Sequence, residues 1–150
     1  MQCVNNRIVD IGSGSGNINI TLKLENENLN VIGLDISKDA LNVSKENALN
    51  LKADVSYYES DLLSYLIDNN IKVDLIISNP PYIETETIKT LSEEVKNEPM
   101  LALDGGEDGL DFYRKITKDA KRYLNKDGYL AFEIGYNQRM AVENILKENG

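Results

Sequence analysis

Five short apolar runs rich in β-branched residues recur along the chain, with segments of helical length between them. They are Arg7 to Ile11, Val31 to Asp35, Val55 to Tyr58, Val73 to Ser78 and Tyr129 to Ile134. Continuous apolar runs of this length suit strands covered on both faces. Strands separated by helices pair in parallel through right-handed crossovers. The order therefore implies an α/β fold: a doubly wound, mostly parallel sheet in three α/β/α layers. A chain of 150 residues supports one core, burying roughly two thirds of the surface of the unfolded chain.

The connecting segments carry helix signals of unequal strength. Ser37 is an N-cap for a helix through Leu51, with Asp39 in its first turn and Leu41, Ser44, Ala48 and Leu51 on one face. From Gly109 to Leu124, the residues Leu110, Tyr113, Ile116, Ala120 and Tyr123 fall at helical spacing. Asp111 lies near the start of that segment and Lys121 and Arg122 near its end. Asn125 to Gly128 then reads as a turn into the last strand. After Gly16, the residues Ile18, Ile20, Leu22 and Leu24 alternate with polar ones, which is a strand pattern. That segment is nevertheless expected to be helical because of the turn that precedes it.

Composition removes several kinds of chemistry. The sequence has no histidine, which excludes Ser-His-Asp triads, Cys-His pairs and His-ligated metals and leaves carboxylates, amides, backbone groups and a bound cofactor. No metal is expected. Cys3, the one cysteine, has no partner for an internal disulfide. No run reaches the ~18 apolar residues needed to cross a bilayer, and Met1 to Arg7 holds no signal-peptide core. These features lead us to expect a reducing, cytoplasmic setting without membrane contact. With 25 acidic against 16 basic residues the net charge is -9, so no general field attracts a phosphate backbone and direct nucleic-acid binding is not expected.

The first strand runs into VDIGSGSGNI, which places Asp10, Gly12, Ser13, Gly14, Ser15 and Gly16 in the turn to the next helix. Glycines permit a tight turn and let a ligand approach the backbone, and the amides at the helix N-terminus are left available. The spacing is G-x-G-x-G, not the G-x-G-x-x-G of dinucleotide binders, which shifts the expected ligand from NAD towards S-adenosylmethionine. Asp35 ends the second strand, 23 positions after Gly12, near the spacing at which an acidic residue grips a ribose. Asp61 and Leu62 follow the third strand, where they would lie over an adenine. Ser60-Asp61 equally suits a helix cap.

The fourth strand ends in Asn79-Pro80-Pro81-Tyr82, beside the point where an open α/β sheet reverses its strand order and binds ligands. An amide or aromatic amine nitrogen is a weak nucleophile because its lone pair is delocalised. The Asn79 side-chain oxygen and the Pro80 carbonyl can accept one N–H hydrogen each, which aims the nitrogen and favours the electron shift that attack requires. The prolines fix the direction of that carbonyl, and Tyr82 can pack on a planar substrate group. Asn79, Pro80 and Tyr82 are thus the candidate catalytic residues, and Asn79, Pro80, Pro81 and Tyr82 the candidate substrate pocket. Glu98 to Ile116 contains a second Gly/Asp-rich loop entering a helix, which by itself is a well-punctuated turn.

Taken together, DIGSGSG, GLDIS, SDLL, ISNPPYI and EPMLALDGGEDGLDFYRKI followed by FEIG resemble the release-factor glutamine methyltransferases. The glycine turn and Asn-Pro-Pro-Tyr alone are also similar to adenine-amino DNA methyltransferases, guanine-amino rRNA methyltransferases and a ribosomal-protein glutamine methyltransferase. The stretch from Leu103 to Tyr113 is what resembles the release-factor branch. The resemblance implies a Rossmann-like class I enzyme that transfers a methyl group from S-adenosylmethionine to the Gln amide of the Gly-Gly-Gln loop of peptide chain release factors. Asp10, Gly12 to Gly16, Asp35, Asp61, Leu62 and Asn79 would hold the cofactor. The alternatives are a nucleic-acid amino methyltransferase, or a non-catalytic module that binds the cofactor. Where the family carries small alanines after the glycine turn, this chain has Asn17 and Asn19. The resemblance further implies that residues 1–150 are a catalytic-domain fragment, without an N-terminal substrate-recognition domain and without the last strands. Such a fragment is expected to expose an apolar sheet edge, to be weakly stable or self-associating, and to turn over poorly.

Overall fold

The structure is a computed structural model that describes residues 6–92 and 99–150. Cys3, Glu98 and the stretch before Asn6 lie outside the described residues. The chain divides into two compact units, Met1–Ser78 with Arg122–Ala131, and Asn79–Lys121 with Phe132–Gly150.

The first unit is built on the sheet. Strands β1 (Arg7–Ile11), β2 (Asn30–Asp35), β3 (Ser56–Glu59), β4 (Val73–Ser78) and β5 (Leu124–Phe132) form one five-stranded sheet in the order β3-β2-β1-β4-β5. Parallel pairing joins β1 to β2, β1 to β4 and β2 to β3. The chain winds outward from β1 to β3 and then returns to the other side of β1, so the strand order reverses between β1 and β4. This is the expected α/β architecture with a mostly parallel sheet. The three inner runs are covered as two-sided strands must be, with Val9, Leu34, Val73 and Ile76 fully enclosed, whereas the edge strands β3 and β5 hold no buried residue and leave Tyr58 and Tyr129 exposed. Asp74 ties three strands together, accepting from Arg7 N and from Asn125 Nδ2, each at 2.8 Å.

Helices α1 (Asn17–Glu25), α2 (Lys38–Leu51) and α3 (Ser64–Asp68) connect these strands. Ser37 caps α2 as expected, its side chain accepting from Ala40 N at 3.2 Å. Leu41, Ser44 and Ala48 are buried, but Leu51 is 55% exposed. The last turn of α2 closes on Lys52 with φ 57, so the apolar face stops one turn short of Leu51. The helix after Gly16 also forms, and its strand-like alternation has a plain cause. Asn19, a polar member of the alternating set, faces inward with Ile20, so hydrophobicity alone misreports which face is buried. Ile20, Ala48 and Ala53 pack together against Val55 and Tyr57.

The second unit contains α4 (Thr85–Ile88), α5 (Met100–Leu103), most of α6 (Asp111–Tyr123), and α7 (Arg139–Glu148). Its core joins Leu110, Tyr113, Val142 and Ile145 with Tyr82, Phe132 and Ile134. Tyr113 meets Phe132 edge to ring at 5.1 Å. Of the five residues expected on one helical face, Leu110 lies just before α6 and Tyr113, Ile116, Ala120 and Tyr123 lie on it, and all five are buried. The last strand differs from expectation, since it begins at Leu124 and not at Tyr129. Asn125 to Gly128 is therefore its first part, held to β4 through Asp74, and only Asp127, at φ 63, keeps a turn conformation. No helix among the described residues is long and apolar enough to cross a membrane.

Candidate active site

In the first unit the glycine turn leaves β1 at Ile11, the residue paired with Leu34 on one side and Ser78 on the other. Gly12, Gly14 and Gly16 all take positive φ, at 75, 55 and 90°, a region L-residues avoid. Leu34 O accepts from both Gly12 N and Ser13 N, at 2.8 and 2.9 Å, which folds the turn back over β2. A side chain at Gly12 would meet nothing within 4 Å, so the space beside this backbone is open.

Asp35 closes the turn. Its Oδ2 accepts from Gly14 N at 2.9 Å and its Oδ1 from Ser37 N at 2.8 Å. Each oxygen keeps a further lone pair. The Asp35 carbonyl accepts from Ser60 N at 2.9 Å, which brings the end of β3 beside the end of β2. In the turn that follows, Ser60 Oγ donates to Leu62 O at 2.8 Å and accepts from Tyr65 N at 3.0 Å. Leu62 has φ 51, a strained backbone for a branched residue. Asp61 is exposed, and Ser60 supports this turn without being the helix cap itself.

Beneath the turn lies a buried polar network that sequence reading missed. Asp10 is 1% exposed and Asn19 is fully buried. Asn19 Nδ2 donates to Asp10 Oδ2 and to Ser13 Oγ, both at 2.8 Å, while its Oδ1 accepts from Tyr57 OH at 2.6 Å. Ser13 Oγ also meets Ser44 Oγ at 3.2 Å, and Ser44 Oγ donates to Gly14 O at 2.7 Å. Asp10 Oδ1 has no hydrogen-bond partner among the described residues. Burial raises the Asp10 carboxyl to about 6, opposed by the Asn19 hydrogen bonds and assisted by the Asp35 charge. Tyr57 is pushed up to about 12, by burial first and then by the Asp10 charge.

The Asn79–Tyr82 segment belongs to the second unit, where other elements shape it. Asn79 is exposed, Pro80 is buried, and Pro81 and Tyr82 are half-buried. Among the described residues the Asn79 side chain and the Pro80 carbonyl make no hydrogen bond, whereas the positions after them are fully engaged. Ile83 N donates to Leu103 O at 3.1 Å and Gly105 N to Ile83 O at 2.8 Å. Gln138 Nε2 donates to Tyr82 O at 3.0 Å and to Gly109 O at 3.2 Å, and Gln138 Oε1 accepts from Gly135 N at 3.0 Å. A side chain at Gly105 would collide with the Tyr82 backbone, and one at Gly109, φ 73, with the Tyr82 carbonyl.

The second Gly/Asp loop thus has a specific task, which is to pack glycine backbone against Tyr82. It is stiffened by Asp104, whose Oδ1 accepts from Thr85 Oγ1 at 2.7 Å and Gly106 N at 2.9 Å. It is further stiffened by Asp108, paired with Arg114. Gln138 is a further residue that sequence reading missed, and only its position three residues beyond FEIG was available as a signal.

The family model described as "Methyltransferase small domain" matches residues 1–107. The chain belongs to that family. This methyltransferase chain is 48% identical to the release factor glutamine methyltransferase of Bacillus anthracis over 142 residues, 94% of this chain and 50% of the relative. It is 49% identical to that of Fusobacterium nucleatum subsp. nucleatum over 144 residues, 95% of this chain and 40% of the relative. The resemblance drawn from the motifs therefore holds along most of the sequence, and the chain spans half or less of the length of these relatives. Among solved structures, ribosomal protein L11 methylase from Lactobacillus delbrueckii subsp. bulgaricus is similar at a TM-score of 0.63 and 25% identity, covering 95% of this chain and 59% of that one. The methyltransferase fold, Rossmann-like and α/β, accounts for the sheet described above.

Proposed function

We propose that residues 1–150 are the catalytic domain of an S-adenosylmethionine-dependent enzyme that methylates the Gln side-chain amide in the Gly-Gly-Gln loop of peptide chain release factors. The observation that carries this reading is the pair of acceptors Asn79 Oδ1 and Pro80 O, without a hydrogen-bond partner among the described residues, on a segment whose next residues are held by Gln138 and the Gly105–Gly109 loop. A primary amide offers two N–H hydrogens to such a pair. A carboxylate offers none.

The glycine turn suits the cofactor on two counts. Its backbone borders open space at Gly12, and Asp10 below it keeps an uncommitted carboxylate oxygen. Gly12, Ser13, Gly14, Ser15 and Gly16 would border the amino-acid end, Asp35 the ribose, and Asp61 with Leu62 the adenine. When bound, the cofactor supplies an electrophilic methyl group on sulfonium. The chain's own part is to hold the amide nitrogen in one orientation by accepting a hydrogen bond from each of its N–H groups. Asn79 and Pro80 fix the direction of the lone pair, while Tyr82 covers the amide plane. Orientation of this kind can lower a barrier by on the order of 7 to 11 kcal/mol.

The test is mass spectrometry of release factor after incubation with the protein and S-adenosylmethionine, beside an adenine-containing oligonucleotide as competitor substrate. One added methyl group on the Gly-Gly-Gln peptide is expected, with none on a Gln-to-Glu release factor. Methylation of the oligonucleotide alone would overturn the substrate assignment.

A further inference from the structure

Asn19 is fully buried, and both polar atoms of its side chain are engaged in hydrogen bonds. Both amide hydrogens are given, one to Asp10 and one to Ser13, and Oδ1 takes the Tyr57 hydroxyl. Asn19 is thus the side chain that links the acidic end of β1, the glycine turn and strand β3. Tyr57 reaches it by crossing β2 where there is no side chain in the way. Asp10 pairs with Gly33 and Gly33 with Tyr57. A Cβ at Gly33 would lie 2.6 Å from the Tyr57 ring and 2.9 Å from Ser13 Oγ.

We propose that Asn19 is a positioning residue for the cofactor turn: its amide, oriented by Tyr57, holds Asp10 as a carboxylate and Ser13 in register at once, so that the turn favours the cationic amino-acid end of the cofactor. The inference rests on the cofactor reading given above. Burial alone would drive the Asp10 carboxyl towards the neutral acid, and Asn19 supplies the hydrogen bonds that oppose this. The charged and titratable groups around Asp10 are Asp35 on β2, which disfavours its ionisation, and Tyr57 on β3, which stays neutral at physiological pH. Helix α1 contributes only Asn19, and β4 contributes Ser78, whose hydroxyl is turned to Ile11 O at 2.8 Å. The sign is unambiguous. Asp10 is ionised above its raised value of about 6, and loss of the Asn19 donors moves that value higher.

The experiment is calorimetric binding to the protein across pH 5 to 8 of two probes. S-adenosylhomocysteine carries the amino-acid end, and 5′-methylthioadenosine lacks it. For the unaltered protein, affinity for the first is expected to fall as pH drops through about 6, while affinity for the second stays level. In Asn19→Ala the midpoint moves up by about one to two units, and affinity for S-adenosylhomocysteine at neutral pH drops about twofold to tenfold accordingly. Binding of 5′-methylthioadenosine is retained, which shows that the variant is folded. Tyr57→Phe, which leaves the donors to Asp10 but removes the hydroxyl that orients them, moves the midpoint in the same direction by less. An unchanged midpoint in Asn19→Ala, or equal loss of both probes, overturns the role of Asn19 while the cofactor reading stands. Failure of the unaltered protein to bind either probe overturns both.

Discussion

Asp10 carries a cost that its surroundings only partly offset. Its carboxyl lies at about 6 in the folded chain, against 3.8 without the fold. Between these values the folded state binds the extra proton, so stability falls as pH rises from about 4 to 6 and stays level above that. The difference amounts to about 3 kcal/mol at neutral pH. Asp10→Asn is therefore expected to raise the thermal midpoint at pH 7 to 8, with the advantage disappearing towards pH 4, and to weaken S-adenosylhomocysteine binding. Thermal unfolding at three pH values checks the first part, and equal stabilisation at all three would refute it. Asn79 answers to a different measurement. Asn79→Ala removes one acceptor. The rate of release-factor methylation should fall on the order of a hundredfold or more, as when one preorganised polar group is deleted elsewhere. Cofactor affinity should change little, and near-normal methylation would remove Asn79 from the mechanism.

Gln138 and the Gly105–Gly109 loop act at the scale of elements, since they join the start of α7, the entry to α6 and the Asn-Pro-Pro-Tyr segment through a single side chain. Gln138→Ala leaves Tyr82 O and Gly109 O without their donor. It should cost about 1 to 3 kcal/mol in chemical denaturation and lower kcat more than it raises cofactor KM. Gly109→Ala, colliding with Tyr82 O at φ 73, should show the same kinetic pattern.

The sequence displayed these elements unevenly, and for physical reasons. The β1 and β4 strands were legible to the residue because two-sided burial concentrates apolar residues in short runs, each here interrupted by a single aspartate, Asp10 or Asp74. Helix α2 was legible because Ser37 is a true cap. The start of β5 was not, because Asn125 joins the sheet through a side-chain bond to Asp74 that turn chemistry cannot foretell. The glycine turn, Asp35 and the Asn79 box announced themselves by residue type and spacing. Asn19, Gly33, Tyr57 and Gln138 did not, since their importance lies in contacts between residues far apart in the chain.

For the whole molecule, the charge of -9 and the central place of β1 have separate consequences. Affinity for random duplex DNA at moderate salt should be undetectable by fluorescence anisotropy. Tight binding would revive the nucleic-acid substrate reading. Strand β1, paired on both edges and lined by enclosed Val9, should hold the slowest-exchanging amides in hydrogen–deuterium exchange, slower than the edge strand β3. The bare backbone of Gly33 has a wider reach than its size suggests. By letting an aromatic ring cross the sheet from β3 to α1, it makes three distant positions interdependent. Trading Asn19 for an aliphatic residue strands the Tyr57 hydroxyl, and adding a methyl group at position 33 evicts the ring. An engineer grafting this turn onto another scaffold would have to transplant all three as a set.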